Sequence, residues 1–303
     1  MEEMDSKRTY VSNPGQHMIA FHDNEYLDLV EYVIDHGKWK QNRTGEMTKS
    51  VFGVQMRFDL SDGTIPLLTT KEMYIPAIIH EILWYLQGTG DISYLQKHKV
   101  RIWNEWANED NNLGPIYGVA WRKWLSHDAE GGYIDQISEL IHNIKNNPDS
   151  RRLLVSAWQV ADLPNESYSP QQNVNNGKMA LAPCHYSFQC YVSEGTLSML
   201  LNQRSCDVGL GVPFNIVQYS ILLRMLAEVT NLKPGELVWN GGDVHVYEDH
   251  VPLLSQQITR DPFPSPKLVI NRSISDIDDF KFEDIVIVGY NNYHPRIPMK
   301  VAI

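Results

Sequence analysis

At 303 residues, 43% of them hydrophobic and 21% charged, the chain has globular composition and length for one large domain or two ordinary ones. A net charge of −11 argues against nucleic acid as a partner, although a few local arginines can still hold a small anion at close range. Cys184, Cys190 and Cys206 form no C-x-x-C pair, which argues against a disulfide framework or structural zinc and for a reducing compartment.

Residues 1–22 read as a loosely structured extension; its polar start, MEEMDSKRTYVSNPGQH, has no signal core. NEYLDLVEYVIDH (24–36) has apolar residues at helical spacing, with Gly37 as a stop. SVFGVQMRFD (50–59) alternates as a strand. IPAIIHEILWYLQ (75–87) is apolar on nearly every side and predicts a buried helix. Residues 133–146 predict an amphipathic helix closing at Asn147-Pro148, and RLLVSAW (152–158) a strand. The Asn-, Pro-, Ser- and Gln-rich stretch 161–178 reads as an inserted, exposed loop. Strands follow at 185–192 and 197–203, then a long apolar helix at 215–229. A last strand, 237–247, is interrupted by Gly241 and Gly242. No apolar run nears the ~18 residues of a membrane span, so a soluble, cytoplasmic protein is expected. Helices and strands intermix without a βαβ period. That predicts an α+β fold: a single domain over 23–303, with a mixed, largely antiparallel sheet covered by helices.

Within LAPCHYSFQCYV (181–192), Cys184 reads four ways: small buried hydrophobe, metal ligand, half of a disulfide, or nucleophile. Nearby cations favour a thiolate. Arg43, Arg151, Arg152 and Arg204 each read singly as surface ion pairs, but several guanidiniums with the Ser205 hydroxyl suit a phosphate monoester. Glu81 lies in the buried helix, where an unpaired carboxylate is expensive. Either it reaches an edge or pairs with His80, or it is a carboxyl of raised pKa serving proton transfer. Asp243, His245 and Tyr247 alternate onto one strand face, which suits sugar hydroxyls; a metal site at His245 and His250 lacks a carboxylate or cysteine set. Asn215 stands where it would cap the helix from 215, and its amide also offers a donor and an acceptor together. Trp103 and Trp106 read as core or as walls for a flat heteroaromatic ligand. Cys190 is expected on the same face as Cys184, about 20 Å deeper, as a packing residue.

Taken as an ordered set, NRTG (42–45), FGVQMRFDL (52–60), LLTTK (67–71), IIHEILWYLQG (78–88), RIWNEWA (101–107), LGPIYG (113–118), DSRRLLVSAW (149–158), MALAPCH (179–185), QRSCDVGLGVPFNI (203–216), GGDVHVY (241–247) and the end MKVAI closely resemble the thymidylate synthase family. The resemblance implies that Cys184 adds to C6 of the uracil of dUMP, so that C5 takes a one-carbon unit from the co-substrate 5,10-methylenetetrahydrofolate. The folate then gives a hydride, leaving dTMP and dihydrofolate. The resemblance assigns Arg43, Arg204 and Ser205 to the phosphate, and Arg151 and Arg152 to the partner's site across a homodimer formed through the sheet. It assigns His245 and Tyr247 to the ribose, Asn215 to the pyrimidine edge, and Asp207 to both substrates. Glu81, Tyr117 and His185 fall to proton transfer and ordered water. Lys71, Ile102, Trp103, Trp106, Leu210, Gly211, Phe214, Ala302 and Ile303 fall to the folate side, with no metal.

Elementary chemistry agrees with these roles. A soft thiolate held close suits a weakly electrophilic ring carbon, and Arg204 then serves twice, at the phosphate and at the thiolate. An asparagine amide accepts from uracil N3–H while donating to O4, the reverse of what cytosine presents. Glu46-Met47, Glu72, Asn104, Ala120 and Asn202 depart from the family pattern, and they are expected to cluster near the cofactor side. The alternative is therefore a dUMP 5-hydroxymethylase of the same fold, with water replacing the hydride; Trp103 and the intact KVAI end favour the synthase by shielding the intermediate. A nucleotide-binding protein without catalysis would not need Cys184, Glu81, Arg204 and Asn215 together.

Overall fold

The computed structural model describes residues 20–42, 45–126 and 128–301, so Arg43, Ala302 and Ile303 lie outside the described residues. In chain order the strands are β1 (Lys38–Gln41), β2 (Met47–Asp59), β3 (Trp124–Leu125), β4 (Tyr133–Ile134), β5 (Leu154–Ser156), β6 (His185–Ser193), β7 (Thr196–Asp207), β8 (Lys233–Tyr247), β9 (Lys267–Ile270) and β10 (Ile285–Val288). The α-helices are α1 (Asp23–His36), α2 (Ile75–Leu86), α3 (Ser93–Lys97), α4 (Gly118–Arg122), α5 (Gln136–Asn146), α6 (Pro170–Asn175), α7 (Gly211–Thr230) and α8 (Val251–Gln257).

Among the described residues the main sheet has six strands in the order β1–β2–β8–β7–β6–β5. Every neighbouring pair is antiparallel except β7 and β8. Those two run parallel because α7 carries the chain back between them, the connection a parallel pair requires. β6 and β7 instead form a hairpin through Glu194 and Gly195, whose φ angles of 51° and 72° suit a tight turn between twisted strands. The fold is mixed α and β on a mostly antiparallel sheet, as the intermixed pattern predicts.

Alternation places one face of the sheet under helices. α7 packs on β7 and β8, α1 on β2, and α5 on β5, while α2 lies against α7. Met56, Phe58, Val155, Phe188, Leu201 and Trp239 point into this layer and are buried. The opposite face carries exposed Leu154 and Tyr191 and a polar row. In that row Gln55 donates to Asn240 (2.8 Å), Asn240 to Asn202 (3.1 Å) and Asn202 to Ser187 (3.2 Å). Asn202 thus lies on the outer sheet face rather than on the cofactor side where its departure was expected to matter.

Several element boundaries differ from the sequence reading. The single helix expected over 133–146 splits: Tyr133–Ile134 pair with β3, and Asp135 caps α5 by accepting from the Ser138 amide (3.0 Å). α7 begins at Gly211, four residues before the expected start, so Asn215 lies inside the helix and is not its cap. Pro213 tolerates this because it falls in the first turn, where no backbone donor is needed. The stretch 161–178 contains α6, capped by a reciprocal Ser169–Gln172 box. In β6 the register shifts between His185 and Ser187, and both His185 and Phe188 pack against Tyr219, at 5.4 and 5.7 Å. The extra residue moves Cys190 to the face of His185, not to that of Cys184 as a regular strand would require.

Candidate active site

Three strand ends converge on Cys184, which immediately precedes β6. The Arg204 amide of β7 donates to the Cys184 carbonyl (2.8 Å), holding the two strands together at this point. One strand further, Ser205 pairs with Asp243 of β8. Gly242, just before Asp243 on β8, keeps the strands close: a Cβ there would stand 3.0 Å from the Arg204 carbonyl. A cavity of about 460 Å³ opens here, lined by Cys184, Arg204, Ser205, Asp243, His245 and Tyr247 among others.

The half-buried thiol sits among opposing influences. Burial pushes the Cys184 thiol up; the Arg204 guanidinium and a hydrogen bond with Ser205 pull it back, and Asp207 pushes it further up. The Arg204 side chain is anchored by donating to the carbonyls of Pro183 (2.9 Å) and Ala182 (3.0 Å), with its guanidinium over the Trp158 ring at 5.1 Å. It is thereby fixed at one wall of the cavity, with its exposed face free to meet an anion. On the β8 side, Asp243 is held down to about 2, chiefly by its hydrogen bond with His245, and it also pairs with Lys40. Burial raises Tyr247 to about 12, so its hydroxyl stays neutral and able to donate.

Behind the thiol lies an aromatic layer. The Cys184 amide donates to the Tyr117 hydroxyl (2.9 Å), and the Tyr117 ring stacks on His185 at 4.2 Å. Tyr117 takes a φ of 32°, a strained value for a residue with a side chain, at the start of α4. His185 Nδ1 and the Tyr219 hydroxyl are 2.8 Å apart, and burial lowers His185 to about 3, so it is neutral at physiological pH.

Glu81 does not pair with His80, which bonds Tyr94 instead (2.9 Å). Its carboxylate accepts from Trp103 Nε1 (2.6 Å), the Tyr85 hydroxyl (2.9 Å) and Gln218 Nε2. Burial raises its pKa, and these donors oppose the rise. From Glu81 a chain of amides runs to Asn215: Asn215 Nδ2 donates to Gln218 Oε1 (3.2 Å), and Gln203 Nε2 donates to Asn215 Oδ1 (3.1 Å). At its far end Trp239 Nε1 donates to Gln203 Oε1 (2.9 Å). An indole N–H can only donate and a carbonyl can only accept, so Trp239 together with the Ser205 carbonyl, which receives Gln203 Nε2 at 3.1 Å, sets the direction of every amide in the chain. Asn215 is left with one hydrogen on nitrogen and one lone pair on oxygen for a ligand. Gln203, Gln218 and Trp239 escaped the sequence reading. For Trp239 the signal was Gly241, where a Cβ would stand 2.3 Å from the indole ring; Gln203 and Gln218 carried no local signal.

The remaining residues fall into two groups. Asp207 Oδ1 accepts from the amides of Gly209 (2.9 Å) and Leu210 (3.3 Å), shaping the turn into α7 that carries Gly211 and Phe214. Trp103 and Trp106 meet edge to face at 5.6 Å beside Ile102, which is 40% exposed. Lys71 is buried; its ammonium donates to the Gly209 carbonyl (2.7 Å) and is lowered to about 8 by burial, so it props the Asp207–Gly211 turn from beneath. Arg151 and Arg152 are exposed on the approach to edge strand β5 and do not line the cavity around Cys184. His250 donates to or accepts from no other histidine; its Nε2 bonds the Lys300 carbonyl (2.9 Å), while His245 turns to Asp243.

Residues 24–303 match the family model for thymidylate synthase. The chain belongs to the thymidylate synthase family. It is similar to proteins named thymidylate synthase from Francisella philomiragia and from Francisella tularensis subsp. holarctica (strain OSU18). Each is 49% identical over 279 residues, covering 92% of this chain and 99% of the relative. Cys184, Arg204 and Ser205 line the cavity described above, whereas Asn215 and Glu81 are not among its lining residues; Asn215 is linked to it through Gln203, whose amide also donates to the Ser205 carbonyl (3.1 Å). No helix among the described residues is long and apolar enough to cross a membrane.

Proposed function

We propose that this chain is a thymidylate synthase that converts dUMP to dTMP in the Cys184 cavity, with 5,10-methylenetetrahydrofolate as co-substrate. The observation that carries this reading is a thiol flanked by Arg204 and Ser205, with the Asn215 amide joined to Ser205 through Gln203 and its direction set from Trp239 and the Ser205 carbonyl. Phosphate on Arg204 and Ser205 and ribose on His245 and Tyr247 bring the pyrimidine to that amide. Asn215 then accepts from N3–H and donates to O4, a pairing that uracil satisfies and cytosine does not. The Cys184 thiolate forms a bond to C6, and the displaced electron pair moves toward O4. Donors at O4, from Asn215 directly and from Glu81 through water, stabilise that charge. Glu81, with its raised pKa, is suited to hold the proton.

The folate supplies the one-carbon unit and the hydride. Trp103 and Trp106, edge to face beside exposed Ile102, offer an apolar wall for a pteridine, to which we assign Leu210 and Phe214 as well, and the Trp103 indole is tied to Glu81. An apolar wall excludes water, which favours hydride capture and methyl product over the hydroxymethyl alternative. No metal enters the scheme.

A homodimer through the helix-free sheet face accounts for two features: exposed Leu154 and Tyr191, and the exposed Arg151-Arg152 pair beside them, which we assign to the partner's phosphate site. Free thiols and the lack of a membrane-spanning helix among the described residues support a cytoplasmic location. Cys184→Ser tests the nucleophile: turnover should fall to background with dUMP binding within a few-fold of the parent. Parent-like turnover would reject it.

A further inference from the structure

The stretch 161–178 takes no part in the reaction just proposed, yet it is firmly built. Asn173 is only 2% exposed: its Oδ1 accepts from the Asn165 amide (2.8 Å), and its Nδ2 donates to the carbonyls of Asn165 (3.0 Å) and Ser169 (3.2 Å). The stem is closed by the Met179 amide on the Asp162 carbonyl (2.9 Å). Gly114 backs it, where a Cβ would stand 2.1 Å from the Lys178 carbonyl. A compact loop with close ends and its own internal bonds holds a shape and can transmit position.

Its two sides touch different parts of the site. One side, with Pro164, Asn165, Glu166 and Tyr168, lines the cavity that holds Cys184 and Arg204. The other reaches the turn that carries the paired indoles. Gln171 Nε2 donates to the Glu105 carbonyl (2.7 Å), and Asn108 Nδ2 donates to Asn175 Oδ1 (2.9 Å). Glu105 and Asn108 flank Trp106, two and five residues after Trp103, whose indole meets Glu81.

We propose that the 161–178 loop is a strut that fixes the Trp103–Trp106 wall to the nucleotide cavity, with Gln171 and Asn175 as positioning residues for folate. This rests on the reading of Trp103 and Trp106 as folate wall. Ordering of the wall is achieved before the folate arrives, so Gln171 and Asn175, which bond the Glu105–Asn108 turn and do not line the cavity, lower the cost of folate binding.

The test is a matched pair of full-length variants. Gln171→Glu with Asn175→Ala removes the donor and the acceptor; Gln171→Lys with Asn175→Asp keeps both. The first should raise the folate KM roughly tenfold, the scale of two exposed hydrogen bonds, with dUMP affinity and kcat near the parent's. The second should restore the parent's folate KM. An unchanged folate KM in the first variant, or equal losses in both variants, would overturn the strut. Trp103→Ala serves as control. If it raises the folate KM and the loop variant does not, the strut fails while the wall stands; if it leaves the folate KM unchanged, the wall reading itself falls.

Discussion

Replacing Gln203 with glutamate preserves the size of the side chain and removes its donor. In the parent, Gln203 Nε2 faces both Asn215 Oδ1 and the Ser205 carbonyl, each at 3.1 Å, while Oε1 receives the Trp239 indole at 2.9 Å. A carboxylate still satisfies Trp239 but confronts two oxygens with a third. Asn215 relieves the conflict by turning its amide, and Gln218 must turn after it, which presents a carbonyl oxygen to Glu81. That contact is satisfied only when Glu81 is protonated. At the ligand, the turned amide donates where uracil N3–H also donates and accepts where O4 accepts. Two hydrogen bonds are lost at about 1–1.5 kcal/mol each, close to 3 kcal/mol together, or roughly 100-fold. Steady-state kcat/KM for dUMP should fall by that factor, and dCMP should become a tighter competitive inhibitor than it is of the parent. A folded variant whose dUMP-to-dCMP preference equals the parent's would refute the directed amide chain.

Trp239→Phe is a milder form of the same perturbation. The Ser205 carbonyl still orients Gln203, so the dUMP-to-dCMP preference should drop only about fivefold to tenfold, the worth of one buried hydrogen bond. Because burial pushes the Cys184 thiol up, alkylation of the free protein by iodoacetamide should quicken steadily as pH rises through neutrality. Arg204→Ala should slow it at each pH, since losing the cation raises the thiol further; faster alkylation would contradict that electrostatic role. Glu81→Gln should lower kcat by at least about 100-fold with dUMP affinity little changed, and a kcat within tenfold of the parent would remove Glu81 from proton transfer. Burial lowers His22 to about 4 and His185 to about 3, so between pH 6.5 and 4 the unfolded chain binds protons there that the folded chain refuses. Stability should therefore fall over that window on acidification, seen as a lower urea midpoint at pH 4.5 than at pH 7; an unchanged midpoint would count against both.

What was legible in the sequence were long periodic elements and side chains of unusual type. α1 and α2 follow from apolar spacing, and β7 and β8 from alternation, because each buries one face or all faces against a large core. Cys184, Arg204 and Glu81 stood out because a thiol beside histidine, a serine-flanked arginine and a carboxylate in an apolar helix are each costly without a partner. The failures share a cause: tertiary contacts that leave no local pattern. The α7 start was misplaced because Gly211 and Pro213 look like loop residues, yet the turn held by Asp207 and by Lys71 from beneath lets the helix begin there. The shift in β6 cannot be read from an alternation of Cys, His, Tyr and Ser, and it appears only once Tyr219 packs on both His185 and Phe188. Lys71 illustrates the limit on the site. The family resemblance gives Lys71 to the folate side, whereas the side chain is buried and its ammonium donates to the Gly209 carbonyl, where it props the turn.

The central claim is reductive methylation, and product analysis tests it most directly. Incubation with dUMP and 5,10-methylenetetrahydrofolate should yield dTMP, with one dihydrofolate formed for each nucleotide consumed. A 5-hydroxymethyl nucleotide, formed with no rise in dihydrofolate absorbance, would contradict it.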